Sequence, residues 1–491
     1  MRTTRVSTPR NTLPSDDDHP YRTGAWLPNL TEWDAFDLDV IGTIPADLEG
    51  VYLRNTENPV HPSIGMYHPF DGDGMVHQIS LGGGKADYRN RFVRTEGFLA
   101  EQQSGAALWT GMLDMPSNSL RSDGWGARGR MKDASSTDIV VHNGRALSSF
   151  WQCGELYRMD PRTLEDLGTE DWDGKFPIEG ISAHTKVDEN TGEMLVFNYS
   201  KQAPYMHYGV VSPVGELVHW IDVPLPGPRL PHDMAFTEHY SILNDLPLFW
   251  DPELLAHDVH YPKFYPDLPM RLAVIPRYGK STDIRWFECE STYVLHWINA
   301  YEQGEEIVLD GYFQGDPTPQ KLEGDGFYKS FYRHIDLQAL QARPRRYRLN
   351  MVTGLVKEED LSERYMEFGM INGSYGGRPH RYSYNMTGEP GWFLFNGIVK
   401  HDHHSGSQTQ YSFGEGVFGS ETPMAPRVGS TSEDDGYLVT FVTDVNAERS
   451  ECLILSAQDL EAGPIARIAL PERISSGTHS TWASAEALRV R

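Results

Sequence analysis

Cysteine is scarce: among 491 residues there are three, Cys153, Cys289 and Cys452, odd in number and far apart. Neither a disulfide framework nor a zinc-type cysteine spacing can be built from them, which points to a reducing, cytoplasmic setting. Long apolar runs are missing too. No stretch approaches the ~18 residues a spanning helix needs, and the start, Met1-Arg-Thr-Thr-Arg-Val6, does not resemble a signal peptide. Positive charge is in deficit. Lysine and arginine number 43 against 69 aspartate and glutamate, so the formal charge is 43 − 69 = −26. Phosphate backbones and anionic lipid both need a basic face, so nucleic acid is excluded as a partner and electrostatic lipid binding is disfavoured.

Extended 3.6-residue periodicity is equally sparse. Short apolar segments punctuated by turns occupy most of the chain after Trp26. Strands are expected at 50–54, 75–81, 88–93, 138–141 and 146–150. A series of similar hairpins follows, with turns at Asp160-Pro-Arg-Thr-Leu164, Asp188-Glu-Asn-Thr-Gly192, Ser212-Pro-Val-Gly215 and Asn350-Met-Val-Thr-Gly354. This imperfect self-similarity fits four-stranded sheets repeated about an axis, a β-propeller; a sandwich or a pair of barrels fits the same periodicity. Residues 1–25, with Pro14-Ser-Asp-Asp-Asp18, read as a disordered arm, and 26–491 as one domain. Insertions at about 96–134, 243–269 and 315–345 break the strand rhythm, and the last holds a short helical pattern at 335–342. On a propeller such insertions gather on one face as a cover.

Among 19 histidines, four stand at turn-to-strand junctions with apolar neighbours: His184 in Ser-Ala-His-Thr, His232 in Leu-Pro-His-Asp-Met, His296 in Val-Leu-His-Trp-Ile, and His479 in Gly-Thr-His-Ser-Thr-Trp. Buried imidazoles on separate strands need partners. A shared metal would satisfy them, and so would ordinary core hydrogen bonds; spacing alone does not decide. His401-Asp-His-His404 could catch a metal adventitiously, but reads first as an exposed loop.

The four histidine settings resemble those of the carotenoid cleavage oxygenases, and the likeness extends over about residues 28–485. It includes Ile44-Pro-Ala-Asp-Leu-Glu-Gly-Val-Tyr-Leu-Arg-Asn55, His68-Pro-Phe-Asp-Gly-Asp-Gly-Met-Val-His77, Asp283-Ile-Arg-Trp-Phe287 and Glu433-Asp-Asp-Gly-Tyr437. The resemblance implies an all-β, seven-bladed propeller with a helical and loop dome over an axial iron(II) held by His184, His232, His296 and His479. It also implies three carboxylates behind those rings. Glu367 and Glu421 match two of them; the third position carries Gln152, with Glu155 the alternative after a small register shift. A glutamine carbonyl can accept an imidazole N–H but brings no charge, so the resemblance predicts a centre one charge more positive. Thr137 matches a position beside the open side of the metal.

The implied reaction is cleavage of an alkene by O2 into two carbonyl fragments, with no protein acid or base beyond the metal site. The stilbene and phenylpropenoid cleavers of the family recognise a phenol through a tyrosine and a lysine. Here Trp151 stands at the lysine position, and Gly105-Ala-Ala-Leu-Trp-Thr-Gly-Met-Leu-Asp-Met-Pro116 carries no tyrosine. A carotenoid or apocarotenoid is therefore the expected substrate, and Leu246–Leu255 reads equally as a nonpolar lip able to touch a membrane and as a segment packed over the propeller. Stilbene cleavage and retinoid-type isomerisation are the alternatives.

Overall fold

The computed structural model describes residues 1–121, 131–257, 259–324, 326, 328 and 332–489. Parts of all three expected insertions, namely 122–130, 258 and scattered positions from 325 to 331, lie outside the described residues. Seven antiparallel sheets follow one another around an axis as the blades of a propeller. The third blade shows the plan: Lys186–Val187 lies innermost, followed outward by Met194–Tyr199, Met206–Val211 and Leu217–Asp222. Every residue of the two middle strands is buried, because both faces press on neighbouring blades, while the outermost strand is half exposed. The apolar clusters accordingly lie between blades. Leu195, Phe197, Tyr208 and Val210 of the third blade pack on Leu243, Ala273 and Ile275 of the fourth. Ile242, Leu272 and Val274 of the fourth pack in turn on Ala300, Leu309 and Tyr347 of the fifth.

The expected turns form as read. In the Asp188 turn the Gly192 N–H donates to the Asp188 carbonyl at 2.7 Å. Gly192 there adopts φ +76°, the left-handed conformation glycine takes most readily. The equivalent bonds close at Leu164, Gly215 and Gly354. The ring itself is closed by chain ends. Ser480–Ser484 pairs with Gly50–Glu57, so the last strand becomes the innermost strand of the first blade.

Two expectations need correcting. Arg2–Ser7, placed in a disordered arm, forms a strand paired with Glu32–Phe36, which extends the first blade outward. Ladder hydrogen bonds offset its polar composition, which is why composition alone misplaced it. The helical pattern at 335–342 shrinks to a 3-10 turn, Arg333–Ile335, and one helical turn, Leu337–Leu340, before Ala342–Asn350 enters the fifth blade. Leu246, Phe249 and Trp250 are buried, with Leu248–Trp250 paired to Pro262–Phe264, so most of the expected lip packs downward and Leu254 is left exposed. Among the described residues, no helix is long and apolar enough to cross a membrane.

Candidate metal centre on the propeller axis

Each blade sends the start of its innermost strand to the axis, and these seven starts carry seven chemically selected side chains. Asp138 opens Asp138–His142 in the second blade, and Glu367 opens Glu367–Met370 in the sixth. His184 and His232 stand two and three residues before Lys186–Val187 and Ala235–Phe236. His296 and His479 directly precede Trp297–Gln303 and Ser480–Ser484. Glu421 precedes Met424–Pro426 in the seventh. Four imidazoles and three carboxylates therefore meet where the blades converge.

The four histidines offer ligand nitrogens all within 4.8 Å of one another. Their rings meet edge to face rather than stacked, with the His184 centroid 4.5, 5.0 and 4.5 Å from those of His232, His296 and His479. His184 and His232 bring their Nε2 atoms to 2.9 Å, and the buried Nε2 of His296 has no hydrogen-bond partner. An orphaned ring nitrogen aimed at three other imidazoles is costly unless a metal takes its lone pair, so the donor set fits a divalent cation. Burial holds His184 and His296 well below the usual imidazole range and His232 down to about 3, which keeps these rings neutral and able to ligate. His479 moves the other way: burial lowers it, but Glu421 beside it, together with Asp138 and Asp233, outweighs burial and raises it.

Behind the rings stand the carboxylates. Glu367 Oε2 lies 2.8 Å from His296 Nδ1 and also accepts the Phe368 N–H at 2.8 Å. Glu421 Oε1 lies 3.4 Å from His479 Nδ1, while its Oε2 accepts the Ser480 N–H at 2.8 Å. The third contact differs from expectation. Asp138 Oδ2 lies 2.9 Å from His184 Nδ1, and Asp138 Oδ1 accepts the Ile139 N–H at 2.7 Å. Among the described residues, the Gln152 side chain bonds none of the four histidines, and no carboxylate meets the His232 ring, whose Nε2 faces His184. Sequence reasoning passed over Asp138 as the first residue of an expected strand; its place, at a strand start like the other six, was the available signal.

Thr137 sits one residue before Asp138. Its hydroxyl oxygen accepts the Trp151 N–H at 3.1 Å, and its carbonyl accepts from the Thr478 hydroxyl at 3.4 Å, tying it to the segment that carries His479. Phe368, held at φ +54° beside Glu367, lays its ring 4.5 Å from His296 and 4.8 Å from His479. A bulky residue in that conformation is strained by ~1–3 kcal/mol and persists only where the surroundings demand it. Phe393 and Phe395 pack against it and continue toward Phe70 and Trp26, giving the centre an aromatic wall. A separate cavity of about 850 Å³ runs along the inner strands and reaches His184, His296 and His479. Charged side chains, including Asp138, Glu189, Lys186, Asp233, Arg427 and Arg489, line it, and no described residue of the three insertions does.

A second imidazole group corrects the reading of His401–His404 as an exposed loop. His401 is buried, and the His403 side chain is 1 % exposed. His403 and His380 approach Asp310 Oδ2 at 3.9 and 3.7 Å. Arg346 already grips both Asp310 oxygens at 2.8 Å, which neutralises the carboxylate and makes this a structural charge cluster between the fifth and sixth blades.

The family model described as retinal pigment epithelial membrane protein matches residues 26–484. The chain belongs to the carotenoid cleavage oxygenase family. A carotenoid 9,10(9',10')-cleavage dioxygenase of Pisum sativum is 33 % identical, over 92 % of this chain and 87 % of the relative. An isoeugenol monooxygenase of Pseudomonas nitroreducens is 30 % identical, over 94 % and 98 %. The crystal structure of Pseudomonas brassicacearum lignostilbene dioxygenase superposes with a TM-score of 0.83 at 27 % identity, covering 96 % of this chain and all of that one. A cobalt-substituted apocarotenoid oxygenase of Synechocystis superposes at 0.82 with 28 % identity, covering 94 % and 98 %. Membership in the carotenoid cleavage oxygenases makes this chain an oxygenase of the same propeller architecture.

Proposed function

We propose that the chain is an iron(II)-dependent dioxygenase that splits a carbon–carbon double bond of a carotenoid or apocarotenoid with O2, giving two carbonyl products. The observation that carries this reading is the donor set: imidazoles converging from four blades, backed by carboxylates from the other three. His184, His232, His296 and His479 would hold the metal, and Asp138, Glu367 and Glu421 would fix three of the rings through their Nδ1–H groups. Held by those four imidazoles, iron(II) would keep its charge, and the chemistry it would supply is activation of O2 beside the alkene. The protein's part is placement. Phe368, Phe393 and Phe395 present an apolar face suited to a polyene, and Thr137 stands between the His479 segment and Trp151, positioned to limit access to the open side.

Trp151, in place of a phenol-binding lysine, supports a substrate without a phenol. Its side chain packs with the Leu195–Leu243 cluster. The relatives named for isoeugenol and lignostilbene keep phenylpropenoid or stilbene cleavage as the second reading. Anaerobic reconstitution with iron(II), followed by turnover under ¹⁸O2 with apocarotenoids and hydroxystilbenes in parallel, tests both. Label in both carbonyl fragments of the apocarotenoid is the expected result. Unlabelled, isomerised product would replace this reading with an isomerase, and cleavage of the stilbene alone would move the substrate to the phenolic class.

A further inference from the structure

The glutamine at position 152 predicts a centre one charge short, yet the axis holds three carboxylates. We infer that Asp138 is the third carboxylate of this centre, a positioning residue that acts through His184 and supplies the charge that Gln152 does not. The inference rests on the reading of the four histidines as metal ligands and goes beyond it, because it names the ring that the third carboxylate anchors and the charge that surrounds the metal.

Three observations carry it. The first is position: the seven innermost strands begin on the axis, four with histidine and two with the expected glutamates, and Asp138 fills the remaining place. The second is geometry. Each of the three carboxylates receives one imidazole Nδ1–H and one backbone N–H from the residue beside it or beside its histidine: Phe368 for Glu367, Ser480 for Glu421 and Ile139 for Asp138. The Asp138 contact, at 2.9 Å, is shorter than that of Glu421 and close to that of Glu367. Its backbone bond fixes the carboxylate plane, so the second oxygen is directed at His184 before any metal arrives.

The third is charge. The neighbouring Asp233 is matched by Lys186 at 2.7 Å, so that pair adds nothing net. With neutral imidazoles, a divalent metal and Asp138, Glu367 and Glu421 sum formally to 2 − 3 = −1; without Asp138 the sum would be zero. A carboxylate on a ligand ring raises that ring's basicity, tightens the metal and favours its higher oxidation state. With this contact on His184, His232 is, among the described residues, the ring without a carboxylate. His232, 2.9 Å from His184 at Nε2 and only partly buried, is then the ligand freest to turn.

The test compares Asp138→Asn, Asp138→Glu and Gln152→Glu with the natural full-length chain. Affinity for iron(II) and cobalt(II) is read by competition with a chromophoric chelator, and the iron midpoint potential by redox titration. Asp138→Asn keeps size and an acceptor but loses the charge. It is expected to bind both metals about 10–100-fold more weakly and to raise the midpoint potential, with Asp138→Glu recovering part of both. Gln152→Glu is expected to leave metal affinity within about twofold, because no charge is missing. Natural affinity and potential in a folded Asp138→Asn chain would overturn the inference. Should that chain fail to fold, about a tenfold tightening in Gln152→Glu would overturn it equally, since it would show the centre to be a carboxylate short. Cobalt affinity reads the role of Asp138 even if iron-dependent cleavage is not found, so the two readings fail separately.

Discussion

At the scale of single residues the axis concentrates groups whose ionisation is set by burial, and Glu57 shows the consequence for stability. Its carboxyl is buried beside the axis, takes one hydrogen bond from the Thr478 hydroxyl at 3.2 Å and leaves Oε2 without a partner. Burial pushes it up to about 8 from an ordinary 4.5. A folded-state value above the unfolded one means that the folded chain holds a proton the unfolded chain has lost. Stability therefore falls as pH rises between those values, by about 1.4 kcal/mol per unit, and is unaffected by this group below them. Glu57→Gln removes the titrating proton. The stability difference between it and the natural chain should widen from pH 5 to pH 8 in denaturant titrations; parallel pH profiles would show that Glu57 does not titrate in this range. The four histidines were legible in sequence for a related reason, because polar rings at apolar strand starts are rare enough to notice. Asp138 was not: aspartate before a strand is commonplace, and only the assembled ring reveals that its strand start points at His184.

At the scale of elements, the segment that carries Thr137 and leads into the Asp138–His142 strand is set by a close backbone approach. A side-chain carbon on Gly74 would lie 2.2 Å from the Ser135 carbonyl oxygen and 2.9 Å from that of Ala134, neither of which is a flexible side-chain tip. Gly74→Ala must push the 134–138 segment toward the axis or away from the first blade. The expected cost is about 1–3 kcal/mol by overpacking, together with weaker metal binding as Asp138 moves relative to His184. Gly168→Ala is the matched control. Gly168 adopts φ +76° with open space around it, so its substitution should cost ~1 kcal/mol of turn strain and leave metal affinity alone. Equal metal affinity in both variants would separate the Gly74 contact from the centre. The hairpins themselves could be read from sequence because glycine and Asx chemistry is local. The Arg2–Ser7 strand could not, since its partner lies some 30 residues on and its own composition is that of a tail. Burial of His401 and His403 depends likewise on a blade-to-blade contact with Asp310 that no local pattern announces.

At the scale of the whole molecule, the ring and the centre are one mechanical system. The proposed ligands come from the third, fourth, fifth and first blades, and the last of them, His479, immediately precedes the strand that closes the ring on Gly50–Glu57. Opening the propeller at that seam separates His479 from the other three rings, so a bound metal must resist unfolding. Metal at a hundred times its dissociation constant stabilises the folded chain by about 2.7 kcal/mol. An unfolding entropy of ~2.1 cal/mol/K per residue amounts to roughly 1 kcal/mol/K for a chain of this length, so the expected rise in Tm is about 3 °C, growing with free metal. His184→Ala should retain the Tm of the metal-free natural chain within about 2 °C and lose this rise, as should His296→Ala. A metal-dependent rise that persists undiminished in both variants would place the stabilising cation somewhere other than the axis. A rise lost in both but absent from variants of His380 or His403 as well would implicate the Asp310 cluster in holding the ring together. Loss confined to the axial histidines is the outcome that ties closure of the seven blades to the centre they build.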